Sequence, residues 1–407
     1  MISSNEIAAR NPGASFNDAA VKTGPGTLAG RFLRGFWQPV HRASDLPSGR
    51  AKPIRIMGEE FTLYRGDSGQ AHVVAFRCAH RGTQLSTGWV EGDDLRCFYH
   101  GWKYGPDGQC IEQPAEPEPF CQRIKIKGYP TQEYLGLIFA YFGEGEPPPI
   151  RRFPDFEEPG VLAAGPPEYW PCNFFNRLDN ATDGAHVPWT HRESMGRVAV
   201  AAGQKPWVGG PSAVLCEETD YGLRTGSIRN GVPIFQTHFH MPITNQTFSS
   251  RRVEGSMEDA VNLGAHRLFW RLPVDDESCV SFVVDWFALY GEQADAYRAR
   301  RDHAEVSQDA DLHEVSQDML HGKIQMRDVD QSLSTYKLFW IEDYVAQCGQ
   351  GPIADRPNEH PGRSDTGVLT LRKVWERELK ALAEGRPLKE WKPGTGLINV
   401  NATAMYS

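Results

Sequence analysis

The sequence predicts an α+β protein of two domains, a small all-β unit followed by a larger one built on an antiparallel sheet. Three observations lead there. Short strand-like stretches, "PIRIMGEEFTLYRG" (53–66) and "AHVVAFRC" (71–78), alternate with Gly and Asp turns early in the chain. The proline-rich stretch "EGEPPPIRRFPDF" (144–156) then removes backbone donors and holds the chain extended, as a linker does. Beyond it, apolar strands such as "SCVSFVVDWFALYG" (278–291) stand among polar helical stretches, without the strand–helix–strand rhythm of a parallel sheet.

Residues 1–34 have no basic segment followed by an apolar one, so they read as a mobile arm and not as a secretory signal. Residues 35–146 form the β domain, with "YLGLIFAYFG" (134–143) as its last strand and the boundary near Glu146. Residues 147–407 form the second domain. Near its end Leu371, Val374, Trp375, Leu379 and Leu382 recur at helical spacing, and Gly385 with Pro387 stops a helix that is expected to cross the sheet. The pentapeptide "EVSQD" occurs at 305–309 and again at 314–318, near His303 and His313. Its period is too short for a solenoid, and its composition reads as a solvated helix face.

At 407 residues, 40% hydrophobic and 23% charged, the chain has the composition of a soluble globular protein, and no run of about 18 apolar residues predicts a membrane span. A net charge of -9 opposes binding to a nucleic-acid backbone. Eight cysteines, at 78, 97, 110, 121, 172, 216, 279 and 348, are too sparse for a disulfide framework and point to a reducing cytoplasm. No Rossmann glycine fingerprint or P-loop is present, so the chain is not expected to bind its own pyridine nucleotide.

The stretch "CAHRGTQLSTGWVEGDDLRCFYHGW" (78–102) carries metal chemistry. Cys78 and His80 form one pair, Cys97 and His100 another, with residues 81–96 between them. Four nitrogen and sulfur ligands also suit a structural zinc site, but zinc fingers usually keep both Cys in one pair and both His in the other. One Cys and one His from each loop suits a two-iron cluster in which one iron takes both thiolates and the other both imidazoles. "CAHRG" followed by "CFYHGW" resembles the Rieske [2Fe-2S] motif. Trp102 and Tyr104 are placed either to cover such a cluster or to fill the core.

A second stretch, "LDNATDGAHVPWTH" (178–191), puts Asp183 and His186 three residues apart on one expected helical face, and His191 five residues on, beyond Pro188. Mononuclear non-haem Fe(II) needs two His and one carboxylate, with the remaining positions open. The stretch resembles the Asp-x-x-His-x-x-x-x-His motif of the catalytic α subunits of Rieske non-haem iron oxygenases. In "LFWIEDYVAQCGQGPIADR" (338–356), Asp343 matches the family's remote carboxylate ligand, with Glu342 as its rival. "SDTGVLTLRKVWEREL" (364–379) is similar to the C-terminal helix of the phthalate dioxygenase-like branch, and the resemblance runs from about Gly35 to Gly385.

The resemblance implies a Rieske domain and a helix-grip catalytic domain. It implies a [2Fe-2S] cluster on Cys78, His80, Cys97 and His100, and Fe(II) on His186, His191 and Asp343. Asp183 would carry electrons from His100 of a neighbouring copy, which implies a closed ring of three. Electrons would come from NAD(P)H through a separate flavin and iron-sulfur reductase, or a ferredoxin plus reductase. The reaction implied is mono- or dioxygenation of an aromatic carboxylate or aryl ether with dioxygen. O-demethylation of a methoxylated aromatic is the alternative, and a non-enzymatic Rieske electron carrier is a third reading. Phe235, His238, His240, Trp270 and Trp340 are candidates to line the pocket, and Arg192 and Arg197 to hold a carboxylate.

Overall fold

The computed structural model describes residues 13–201, 203, 213–229, 232–252, 262–304, 310–330 and 332–394. Its first third is three small sheets. β1 (Trp37–Arg42) pairs with β11 (Leu137–Tyr141), which forms a hairpin with β10 (Thr131–Tyr134). A second sheet runs β2 (Arg50–Ile56), β3 (Glu59–Arg65), β4 (Ala71–Ala75) and β9 (Gly128–Tyr129). A third runs β5 (Trp89–Glu91), β6 (Asp94–Arg96), β7 (Lys103–Tyr104) and β8 (Cys110–Glu112). The metal-motif loops leave β4 and β6, and a core of Tyr64, Val74, Leu85, Leu95 and Tyr104 buries Cys78 and Cys97 between them. This is the all-β unit expected from the turn spacing.

The proline-rich stretch has no strand, but it is tied down. Trp37 Nε1 donates to the Pro148 carbonyl (2.6 Å), and Arg151 donates to the carbonyls of Met241 (2.5 Å) and Trp391 (3.0 Å). Beyond it an antiparallel sheet takes the order β12 (Val161–Ala164), β19 (Cys279–Phe287), β18 (Asn262–Pro273), β17 (Thr244–Arg252), β16 (Val232–His240), β15 (Gly222–Arg229) and β14 (Ala213–Glu218). β13 (Glu168–Trp170) adds to β19. The sheet is antiparallel throughout, as expected without a βαβ rhythm.

Among the described residues two helices precede β1, namely α1 (Gly13–Ala20) and α2 (Leu28–Arg34). After β13 come α3 (Phe174–Thr182), α4 (Val187–Thr190) and α5 (Arg192–Ala201). After β19 come α6 (Gly291–Ala304), α7 (Ala310–Leu320), α8 (Thr335–Cys348) and α9 (Thr366–Ala383). No helix among the described residues is long and apolar enough to cross a membrane. All eight cysteines are free. α9 buries Val368, Leu371, Val374, Trp375 and Leu379, and the chain leaves it through Gly385, whose positive φ suits a helix stop.

The expectation of a mobile arm is corrected over residues 13–34. Phe16 packs edge-on against Phe175 at 5.0 Å, and Phe32 against Trp375 at 5.0 Å. Ala20, Ala29 and Leu33 are fully buried with them. Burying these apolar side chains offsets the entropy of ordering the segment.

Because side chains alternate along a strand, the register sorts the sheet into two faces. Trp270, His240 and Phe282 share one face, where Phe139 and Phe153 pack on Trp270 at 5.7 Å each. Phe269, Arg271 and Ser281 share the other, which α3 covers through Arg177 Nη2 donating to Ser281 Oγ (3.2 Å).

Candidate cluster loops and metal centre

Each cluster loop is a tight turn closed by backbone hydrogen bonds. Cys78 N donates to Thr83 O (2.9 Å), and Gly82 N returns to Cys78 O (2.9 Å). Cys97 N donates to Trp102 O (2.8 Å), and Gly101 N to Cys97 O (3.1 Å). Gly101 has φ +73°, and a Cβ there would stand 2.8 Å from Pro114, so only glycine lets the chain reverse after His100. The reversal brings Trp102 flat against the His80 ring, with centroids 4.6 Å apart and planes 7° apart. The His80 and His100 rings lie 4.5 Å apart.

These residues fit an iron-sulfur cluster. The Cys78 and Cys97 side chains are buried, and His80 Nδ1 is a buried ring nitrogen with no partner among the described residues. Burial pushes the Cys97 thiol up and the Cys78 thiol adds to this, against the Tyr99 and His100 backbone amides that favour its anion. A buried thiol pair of this kind becomes thiolate on binding metal. Tyr104, read from sequence only as cover or core, also places its hydroxyl 3.2 Å from Cys78 Sγ, where it accepts from Ala79 N (3.2 Å).

The second site sits where α3 ends. The expected helical face through Asp183 and His186 does not form, because α3 stops at Thr182 and Asp183 caps it. Asp183 Oδ1 accepts from Ala185 N (2.8 Å) and His186 N (3.2 Å), which closes a turn in place of a helical repeat. His186 follows this turn, Pro188 stands in the first turn of the next helix, and His191 caps its end. Across from them, Ser194 of α5 and Glu342 of α8 lock together, with Ser194 N donating at 3.0 Å and Ser194 Oγ at 2.6 Å.

His186, His191 and Asp343 each bring one ligand atom to a common point, all within 4.8 Å of one another. His186 Nδ1 donates to the Asp183 carbonyl (2.5 Å) and His191 Nδ1 to Glu342 Oε2 (3.0 Å), so both rings present Nε2. His191 Nε2 lies 3.5 Å from Asp343 Oδ1, which also accepts from Gln347 Nε2 (3.0 Å). Burial holds His186 below its ordinary pKa, and so in the neutral form a metal needs. Burial alone would raise Asp343, but His191, His186, Arg177 and Arg271 outweigh it and hold the carboxyl below the usual range. Two imidazoles and an ionised carboxylate fit Fe(II).

The rival carboxylate Glu342 is buried behind His191, turned from the point where the other three meet. Sequence reasoning missed Gln347 and Ser194, although each stands at helical spacing from a singled-out residue, at Asp343+4 and His191+3. Of the pocket candidates, His240 and Trp270 lie on the sheet face away from α3, and His238 shares that face through its Gln246 pairing. The Phe235 side chain lies outside the described residues. Trp340 packs on Trp170 at 5.1 Å and on Tyr344 at 5.0 Å. Arg192 is exposed, and Arg197 donates to the Leu333 carbonyl (3.1 Å). His313, near the repeated pentapeptide, stands against Trp340 at 4.7 Å, while residues 305–309 lie outside the described residues.

Residues 36–130 match the family model described as a Rieske [2Fe-2S] domain. The chain is 30% identical over 396 residues to the 5,5'-dehydrodivanillate O-demethylase oxygenase subunit of Sphingobium sp. (strain NBRC 103272 / SYK-6), covering 92% of this chain and 82% of that one. It is 28% identical over 392 residues to the phthalate 4,5-dioxygenase oxygenase subunit of Pseudomonas putida, with 88% and 83% covered. Among solved structures, the carbazole-bound oxygenase in a ferredoxin complex of carbazole 1,9a-dioxygenase superposes with a TM-score of 0.62 at 17% identity, covering 94% of this chain and 98% of that one. That last likeness extends the shared fold across both domains. Kinship across nine-tenths of the chain, on top of a cluster loop pair and a His–His–Asp centre, makes this protein a member of the Rieske non-haem iron oxygenases, in the phthalate dioxygenase-like branch of their catalytic subunits.

Proposed function

We propose that this subunit oxidises an aromatic carboxylate or aryl ether with dioxygen. Cys78, His80, Cys97 and His100 hold the [2Fe-2S] cluster, and His186, His191 and Asp343 hold Fe(II). The observation that carries the reading is the convergence of these last three on one point, with the Phe339 ring packed on His191. Iron bound there supplies dioxygen activation. The chain's own contribution is orientation and dryness. Asp183 O and Glu342 fix the two imidazole tautomers, while Phe339 packs on His191 at 4.3 Å and keeps water from its ring.

The proposed organisation is an arm (1–34), a cluster domain (35–146) and a catalytic domain (147–407). Asp183 and His186 line an open cleft with Thr190, Gln347 and His360. In our reading this cleft receives the cluster edge of a second copy, where Trp89, Phe98 and Tyr99 stand exposed, so that three copies close a ring. Asp183 then bridges His100 of one copy to His186 of the next. A reductase, directly or through a ferredoxin, delivers electrons from NAD(P)H. The ferredoxin named in the carbazole oxygenase complex supports that route, and eight free cysteines are in keeping with the reducing cytoplasm.

O-demethylation is the second reading, favoured by the dehydrodivanillate relative. NADH-driven oxygen uptake with a surrogate reductase, across methoxylated, phenoxylated and plain aromatic carboxylates, separates the two. Formaldehyde in step with oxygen identifies a demethylase. Hydroxylated or diol products without formaldehyde identify a ring oxygenase. Uptake that yields only peroxide with every compound rejects the aromatic acid and ether classes together.

A further inference from the structure

The contact between α3 and β18 buries two guanidinium groups that the iron chemistry does not use. Arg177 of α3 and Arg271 of β18 are 3% and 5% exposed. Arg177 lies over the Trp170 ring, 3.4 Å from its centroid, and Arg271 stands 5.1 Å from the Phe269 centroid. Beyond the bond from Arg177 Nη2 to Ser281, the Nε and Nη1 atoms of both arginines are buried with no hydrogen-bond partner among the described residues.

Four such nitrogens in one place are expensive. A buried N–H without an acceptor loses its hydration with nothing in return, and an uncompensated buried charge loses more. The two groups also oppose each other. Burial first, and then the charge of Arg177, pull Arg271 down to about 9, against the pull of Asp343, Cys279 and Glu168. What would satisfy all four donors is an acceptor with two oxygens and a negative charge.

The surroundings give the shape of its carrier. Trp170, Trp340 and Tyr344 pack on one another at 5.0–5.1 Å and make an aromatic wall beside Arg177. Both arginines are close enough to the metal centre for their charges to act on Asp343. An acid group bound by the pair would sit beside that wall, within reach of the charges that act on Asp343.

We propose that Arg177 and Arg271 form the anion clamp of the substrate pocket, binding the carboxylate of an aromatic acid through their free Nε and Nη1 donors. The proposal rests on the oxygenase reading and narrows it, since a neutral aryl ether would leave the four donors unpaired. It also moves the acid-binding role from Arg192 and Arg197 to residues inside the domain.

Benzoate and benzamide, nearly identical in shape, are the probes. Isothermal titration uses the metal-loaded wild type, Arg177→Gln, Arg271→Gln and the charge-keeping Arg177→Lys and Arg271→Lys. Benzoate is expected to bind the wild type about tenfold or more tighter than benzamide, because hydrogen bonds to a charged group contribute about 1.5–3 kcal/mol. Each Gln variant should lose about that factor for benzoate alone, and each Lys variant part of it, since charge remains without the fork. Equal binding of the two probes by the wild type overturns the clamp. So does a variant whose melting temperature falls while its benzoate affinity stays unchanged, which would make the arginines structural. Should the Gln variants fail to fold, the wild-type comparison and the Lys variants still decide. Iron content and the reduced-cluster EPR signal are recorded for each sample. Wild type with both metal centres intact and no preference for benzoate rejects the clamp alone, whereas missing iron rejects the oxygenase reading.

Discussion

Glu342 and Asp343 are adjacent acids with different partners. Glu342 accepts from His191 Nδ1 and from Ser194, while Asp343 faces His191 Nε2. Glu342→Gln keeps the volume but removes the charge that fixes the His191 tautomer. Affinity for the mononuclear iron is expected to fall about 10–100-fold, read as iron retained against a chelator with the cluster spectrum unchanged. Asp183→Asn keeps an oxygen for the Ala185 and His186 amides, so the turn and both metals should persist. Turnover should nonetheless be almost abolished, because the charged bridge to the neighbouring cluster is gone. Oxygen uptake at wild-type rate in this variant rejects the bridge. The His186 and His191 positions were legible because their spacing is local. Asp343 was reached through the family resemblance alone; spacing left Glu342 open, since consecutive helix residues point about 100° apart and only the packing of α8 decides which faces inward.

Among the elements, the crossing of α3 and α9 sets the height of the iron site. A Cβ on Gly367 would stand 2.1 Å from the carbonyl oxygen of Thr182, the residue just before Asp183. Gly367→Ala must therefore push α9 away from α3. The expected result is a lower melting temperature and less mononuclear iron per chain, with the cluster signal intact; iron analysis and EPR on the same sample check it. Asp179 holds the crossing from the other side, paired with Arg356 (3.0 Å) and Arg372 (2.7 Å). The strands themselves were legible from apolar runs and turns, but the face turned to the iron was not. β18 buries Leu268, Trp270 and Leu272 on one side and Arg267 and Arg271 on the other, so burial on both sides erases the usual polar alternation. His240 and Trp270 were misplaced for that reason.

For the whole molecule, electron flow between copies makes a sharp prediction. Cys97→Ala removes the cluster of one chain and His191→Ala the iron of another, and each variant alone should be inactive. Co-expressed, they should regain part of the wild-type oxygen uptake if clusters serve neighbouring irons, and none if each chain serves itself. The order of the two units was readable from three successive prolines, whereas the ordering of residues 13–34 was not, because their partners Phe175 and Trp375 lie far along the chain. That packing also sets a timetable for synthesis. β1 to β11 pair only among themselves, so the cluster unit can close as soon as Tyr141 has left the ribosome. α1 and α2 emerge first, but their seat is complete only when α9 brings Trp375 against Phe32. A chain truncated ahead of Thr366 would leave Phe32 uncovered by Trp375, an apolar surface of the kind that chaperones and proteases recognise.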